Sequence, residues 1–457
     1  MQLTSIHYIS LLLVLLLSLV PSWYVGRKIK SAEDYSVGGH KAGYAIVVGA
    51  LMGSALGGAS TVGTSQLAFD YGIRAWWFTL SEGLALIFMG VFYASPLRRT
   101  GLTTISEFMV KTFGKASGPI TSLTATLGIF FSIVASSLTA IHVFSSIFHL
   151  NILTTMLLIL LIVAAMVFFG GLDGSGLAGI VKVIIIFITL SFSGILAFIG
   201  LGCWSGLIST FPFDPWFNLF SSGTENSLYS CFSVIVGMVS TQTYVQAVYS
   251  AKDSRTAVIS CFAAAAVIIP VGIPAILIGL FMKVQHPELV AIQAMPYFLV
   301  NYLPPWLGGA ALTGIIISAI GSVSGLALGC GTMISRDIFA QIVGIKDTKK
   351  LLWINRFSVL AITAIALTFD LHNLNSYVLK WNYMSLALRA AGIFLPMTFA
   401  IYFKGKLVKA WGLLAMSAGI IIALTWTTIN PTATHSLFQS LVANLIFLIP
   451  AVYFAKN

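Results

Sequence analysis

Residues Gly53–Gly72 read GSALGGASTVGTSQLAFDYG and lie within a segment otherwise apolar enough to cross a bilayer. Glycine, serine and threonine in such numbers admit two readings. Small residues let helix backbones approach closely, which suits a tightly packed buried helix. They equally permit local unwinding, and carbonyls released from the helix coordinate a cation where they line a cavity. The first reading describes a structural membrane helix, the second half of a transport site.

The rest of the chain places this segment in a membrane. Hydrophobic residues fill 58% of the 457 positions and charged residues only 8%, a balance that no water-exposed globular surface tolerates. About 20 apolar residues cross a hydrocarbon layer roughly 30 Å thick. On that basis the sequence predicts thirteen crossings, at 6–24, 43–70, 76–97, 119–147, 152–170, 177–200, 227–249, 256–282, 309–332, 351–369, 377–402, 408–427 and 436–454. Long continuous apolar runs exclude a β-barrel, whose short strands alternate.

The net charge of +11 is no nucleic-acid signature, because no Lys/Arg cluster with interleaved aromatics accompanies it. Cys203, Cys231, Cys261 and Cys330 lack CxxC spacing, so neither a disulfide framework nor a zinc site is indicated. The first apolar run, ISLLLVLLLSLVPSW, is followed rather than preceded by the basic GRKIK. That order favours a retained helix with its N-terminus outside over a cleaved signal peptide. In this orientation most of the 24 Lys and Arg residues fall in cytoplasmic loops, with Arg74 and Lys283 outside and Lys182, Arg356, Lys380 and Arg389 within or at the ends of helices. The expected location is the plasma (inner) membrane, with the C-terminus cytoplasmic. The external connection 201–226 carries Trp204, Phe211, Phe213, Trp216 and Phe217, as a lid or an aromatic belt at the membrane surface would.

A second helix of similar character occurs five crossings after the first, at NSLYSCFSVIVGMVSTQTYVQAVYS, Asn226–Ser250. An odd repeat length makes the two helices run in opposite directions, the inverted-repeat arrangement of many secondary transporters. The motifs GGASTVGTSQLAFDYG, GLTTISEF, STQTYVQAVYSAKDSRTA and SAIGSVSGLALGCGTMISRDIF resemble the sodium/solute symporter family and together span most of the chain. The resemblance implies an all-α membrane fold of LeuT type, a five-plus-five inverted repeat with broken first and sixth core helices. It divides the chain into an extra N-terminal helix and loop (1–42), a ten-helix core (43–402, repeats 43–200 and 227–402) and two C-terminal helices (403–457).

The same resemblance implies a sodium site between the first and eighth core helices. It assigns the carbonyls of Ala59, Val62 and Ser318, and the hydroxyl positions occupied here by Gly321 and Ser322. Na⁺ is a hard cation that takes neutral oxygen ligands, and Ser318 and Ser322 share a helix face at i, i+4. The alternative is that these serines bond their own i−4 carbonyls. Two departures stand out. Gly321 lacks the hydroxyl that many relatives carry. In GSGLAGIVKVIII no carboxylate is present where some relatives place one, and alignment by the GL motif puts Ile184 there, with Lys182 nearby. Lys182 either snorkels to the cytoplasmic surface, the preferred reading, or titrates as a proton-coupling ammonium in place of Na⁺.

Glu82, in WWFTLSEGLALIFMG, is the clearest carboxylate within a crossing, and intramembrane acids mark substrate or ion pathways or pair with a buried base such as Lys380 or Arg389. With Thr79 it occupies a stretch that lines the cavity in sugar-transporting relatives. Thr61, Thr64 and Gln66 on the broken helix, Ser136 within the stripe Ser132, Ser136 and Thr139, and Ser240 at the head of the patch Ser240–Gln242 and Gln246 complete the candidate substrate contacts. His142 falls off the stripe and reads as structural. Ala247 stands where the family often has an arginine, so the resemblance does not carry over an inner gate built on that arginine.

These readings describe a non-enzymatic, Na⁺-coupled symporter that carries a small polar organic solute, an amino acid, amine, sugar or carboxylate, into the cytoplasm. Its partners are the solute, Na⁺ or H⁺ and the lipid bilayer, with no nucleic acid and no cofactor beyond the coupling ion. Proton-coupled or sodium-independent transport on the same fold is the nearer alternative, and a transporter-like sensor the more distant one. The residues leave the oligomeric state open.

Overall fold

A computed structural model describes residues 3–26, 40–169, 172–341, 343–429 and 436–455. Arg27, Lys28, Lys30 and Lys456, which the orientation argument places in the cytoplasm, lie outside them. The described chain is helical, and its only extended pairing is an isolated bridge between Ala42 and Ala251. This bridge ties the entry of the first small-residue helix to the exit of the second.

The chain runs through helices α1 (Ser5–Gly26), α2 (Tyr44–Ala55), α3 (Thr64–Tyr71), α4 (Trp76–Phe92), α5 (Ile105–Phe113), α6 (Ser117–Phe148), α7 (Ile152–Phe169) and α8 (Leu172–Gly200). After α9 (Cys203–Thr210) come α10 (Thr224–Val239), α11 (Gln242–Ser250), α12 (Ser254–Gln285), α13 (Ala294–Asn301), α14 (Pro305–Met333), α15 (Thr348–Leu371) and α16 (Val378–Tyr402). The chain closes with α17 (Lys409–Ile429) and α18 (Ser436–Tyr453), which pack on each other and on α16.

Among the described residues nine helices are long and apolar enough to cross a membrane, or ten when the bent pair α10 and α11 counts as one span. The protein is a multi-pass membrane protein. The first, second and fifth expected crossings fall on the shorter apolar helices Ser5–Val14, Tyr44–Ala55 and Ile152–Ala165. Side chains such as Leu153, Ile195, Phe357 and Ile446 stay exposed on the bundle's outer face, as a surface solvated by lipid requires.

Packing pairs α4 with α12, α6 with α16, α8 with α2 and α14 with α6. Close approach depends on small residues: a Cβ on Gly279 of α12 would stand 2.5 Å from the carbonyl oxygen of Ser65 in α3. Polar ends are closed by side chains. Thr104 and Glu107 form a capping box at the start of α5, Asp253 accepts from the Thr256 amide at the start of α12, and Asp347 accepts from Lys349 and Lys350 amides before α15.

The connection 201–226 is seated on the bundle. Gly72 has φ +66°, and a Cβ there would fall 2.4 Å from the carbonyl oxygen of Trp216. The Trp77 indole donates to the Leu219 carbonyl at 2.7 Å and stacks edge-on with Phe220. Phe211 is buried, whereas Trp204 and Phe213 face outward. Part of this aromatic segment is thus docked on the bundle and part faces outward.

Candidate functional site

Both small-residue helices are broken. α2 ends at Ala55, Leu56 leaves helical geometry at φ −77° and ψ 75°, and the chain re-enters through a wide π-turn over Ala59–Gly63. α10 and α11 meet at a 49° bend across Ser240 and Thr241. Glycine removes side-chain packing at the break, and hydroxyls bond backbone carbonyls beside it. Thr61 Oγ1 donates to the Gly57 carbonyl (3.1 Å), Thr64 Oγ1 to Ala59 (3.1 Å) and Ser240 Oγ to Val236 (2.7 Å).

Three of the expected solute contacts, Thr61, Thr64 and Ser240, therefore turn back on their own helices. Gln66 points elsewhere: its Nε2 donates to the Ser376 carbonyl at 3.3 Å and its Oε1 accepts from the Val378 amide at 3.1 Å, joining α3 to the entrance of α16. Thr79 packs against α12, where a Cβ on Gly272 would meet its hydroxyl. Gln242, expected along an inner pathway, accepts from the Ile105 amide at 2.9 Å and so fastens α11 to the head of α5.

A buried cavity opens between the breaks. Ala59, Glu82, Ser136 and Ser322 line it, as do Phe78, Tyr244, Asn382 and Arg389. The polar stripe of α6 faces this space: Ser132 Oγ donates to Asn382 Oδ1 at 2.8 Å, and a Cβ on Gly58 would collide with Thr139. His142, off the stripe, bonds the Leu374 carbonyl at 2.8 Å.

Glu82 is 4% exposed and Arg389 2%. They do not pair. Glu82 Oε2 accepts from Ser60 Oγ at 2.9 Å, while the Arg389 guanidinium donates to Thr241 Oγ1 (2.6 Å), Ser132 Oγ (2.8 Å), Ser385 Oγ (2.7 Å) and the Ser385 carbonyl (3.2 Å). Lys380, the other base considered for Glu82, lies at the exposed start of α16 over the Trp381 ring. A buried guanidinium held only by neutral oxygens leaves its charge uncompensated. Arg389 carried a readable signal, a charge inside a crossing, yet its contribution to the cavity depends on α6 and α10 meeting around it.

The expected ion ligands gather where α14 crosses the break. Ser318 Oγ donates to the Leu56 carbonyl, so it ties α14 to the end of α2 and does not bond its own i−4 carbonyl. Ser322 Oγ is buried without a hydrogen-bond partner and lies 3.0 Å from where a Cβ on Gly57 would stand. Gly321 faces open space. The Ala59 carbonyl already accepts from the Thr64 amide and hydroxyl. Val62 is buried within the π-turn.

Lys182 enters this site. It is 4% exposed, and its Nζ donates to the Gly53 carbonyl at 2.9 Å and the Ser318 carbonyl at 3.4 Å. The snorkelling expectation is corrected, because α8 lies along α2 and turns the stem across the bundle. Ile184, which the GL motif aligned with the acidic position of relatives, is 52% exposed on the outer face. Lys182 thereby reaches Ser318, one of the expected ion ligands.

The sodium:solute symporter family matches residues 35–421. The chain belongs to that family. Among relatives of this chain, the high-affinity choline transporter 1 of Drosophila melanogaster is 24% identical over 382 residues, covering 78% of this chain and 61% of that protein. The chain thus spans about three-fifths of that relative's length. The osmoregulated proline transporter OpuE of Bacillus subtilis is 23% identical over 472 residues, 98% of this chain and 92% of that one. In fold, a Na⁺-coupled sialic acid symporter in a substrate-bound outward-open state superposes with a TM-score of 0.81 at 14% identity, over 99% and 98% of the two chains. Mhp1, a nucleobase-cation-symport-1 family transporter, gives 0.60 at 13% identity over 93% and 96%. The family and these relatives are transporters, and the LeuT-type fold expected from the motifs is the one observed.

Proposed function

We propose that this symporter is a secondary active carrier without a catalytic step, moving a small polar organic solute into the cytoplasm together with Na⁺ by alternating access. The supporting observation is the pair of broken helices around one buried cavity, with the expected ion ligands Ser318 and Ser322 beside the first break. An N-terminus outside and a C-terminus in the cytoplasm follow from the basic-residue bias. Each charge that enters across 100 mV contributes about 2.3 kcal/mol, which concentrates a neutral solute appreciably.

The solute class that fits best is a dipolar ion with a cationic nitrogen and a carboxylate. Glu82 and Arg389 line the same cavity without neutralising each other, so a solute carrying both charges answers each of them. Relatives named for proline and for choline bracket this choice, and Arg389 weighs against a solute that is only cationic. Uptake into proteoliposomes under an inward Na⁺ gradient tests it. Proline or glycine betaine should accumulate above equilibrium and choline should not; equilibrating, gradient-independent flux refutes the assignment.

A further inference from the structure

Two cations have claims on one set of oxygens. The family pattern gives the Ser318 carbonyl to Na⁺, and in this structure the Lys182 ammonium donates to that carbonyl. Its second bond, to the Gly53 carbonyl, reaches the last turn of α2 just before the break. Among the described residues Lys182 has no carboxylate partner, and Glu82 bonds Ser60. The charge is therefore balanced only by backbone carbonyl dipoles of the kind that would otherwise hold a metal cation.

Two further features weaken the site for Na⁺ and favour its tethered rival. Gly321 supplies no hydroxyl although nothing occupies the space in front of it, and the Ala59 carbonyl is already shared with Thr64. Ser322 Oγ, by contrast, remains buried and unpartnered, a neutral oxygen available to an incoming ion. Like charges a few ångströms apart in a low-dielectric interior exclude one another.

We propose that Lys182 is a tethered occupant of the Na⁺ site, so that its ammonium and Na⁺ bind the Ser318 carbonyl in alternation. Na⁺ enters by displacing the side chain, and the side chain returns when Na⁺ leaves. The physiological use rests on the symport reading above. A symporter must reorient empty after release, and bare carbonyls buried during that step are costly. Lys182 bonds them then, which assists the return of the empty carrier and sets a low Na⁺ affinity.

The test compares wild type with Lys182→Met, Lys182→Gln and Lys182→Arg in detergent and in proteoliposomes. Na⁺ titration, followed by thermal shift with N-methylglucamine as the balancing cation, should show a half-saturating concentration at least about tenfold lower in the Met and Gln variants. Lys182→Arg, which keeps the charge, should stay near wild type. Solute exchange should persist in the Met variant while net uptake, which needs the empty return, slows. An unchanged half-saturation in both neutral variants with Na⁺-driven uptake intact overturns the tethered-cation proposal and leaves symport standing. Na⁺-independent uptake in wild type with Na⁺ dependence gained in the variants supports the occupancy and overturns the Na⁺-driven reading. No Na⁺ response in any of the proteins overturns the occupancy.

Discussion

The hydroxyl of Ser318 donates to the carbonyl of Leu56, the first residue to leave the helix at the break of α2. One side chain therefore closes a backbone group that unwinding exposed, while the carbonyl of the same residue faces Lys182. The tie to the break and the contact with the ammonium are divided between two oxygens of a single serine.

Ser318→Ala separates those roles. It leaves the Leu56 carbonyl buried without its donor, at a cost of about 1–3 kcal/mol, and keeps the Ser318 carbonyl in place. The expected result is a lower melting temperature with Na⁺ half-saturation changed by less than about threefold. A large loss of Na⁺ response with normal stability would assign the hydroxyl, not the carbonyl, to the ion.

Ser322 and Gly321 are predicted to move Na⁺ affinity in opposite directions. Ser322→Ala removes an unpartnered buried oxygen, so it should weaken Na⁺ dependence severalfold with little change in melting temperature. Gly321→Ser adds a hydroxyl into open space and should tighten Na⁺ binding severalfold. Na⁺ titration of both purified variants reads the two effects, and identical affinities would remove α14 hydroxyls from the ion site.

Glu82→Gln keeps an acceptor for Ser60 and deletes the carboxylate. Affinity for a dipolar solute is expected to fall at least about tenfold, a loss of about 1.4 kcal/mol or more, with the melting temperature nearly unchanged. Binding measured by calorimetry decides it. Unchanged affinity together with reduced stability would make Glu82 a structural residue.

Gly72→Ala puts a Cβ against the Trp216 carbonyl at a positive φ. Strain of about 1–3 kcal/mol should loosen the 201–226 connection from α3 and α4. Limited proteolysis should then cut this segment several times faster than in wild type. Equal rates would show that the Trp77 bond to Leu219 alone holds it.

The sequence by itself determined the membrane class, the family and both helix breaks, because apolar run length and the clustering of Gly, Ser and Thr are local properties that act before any neighbour is chosen. Depth and rotation are not local. Thr79 and Gln66 are polar residues near the break, yet packing turned one against Gly272 and the other to the entrance of α16. Arg389 was legible as a buried charge, but only α6 and α10 closing around it placed it in the cavity with Glu82. Lys182 is the sharpest case. Its place in the sequence of α8 left both snorkelling and burial open, and the outcome depends on which face of α8 meets α2 and α14. That rotation is fixed by close van der Waals packing and interhelical hydrogen bonds across three helices at once, a tertiary choice that left Ile184 exposed on the outer face and sent the ammonium to the Gly53 and Ser318 carbonyls.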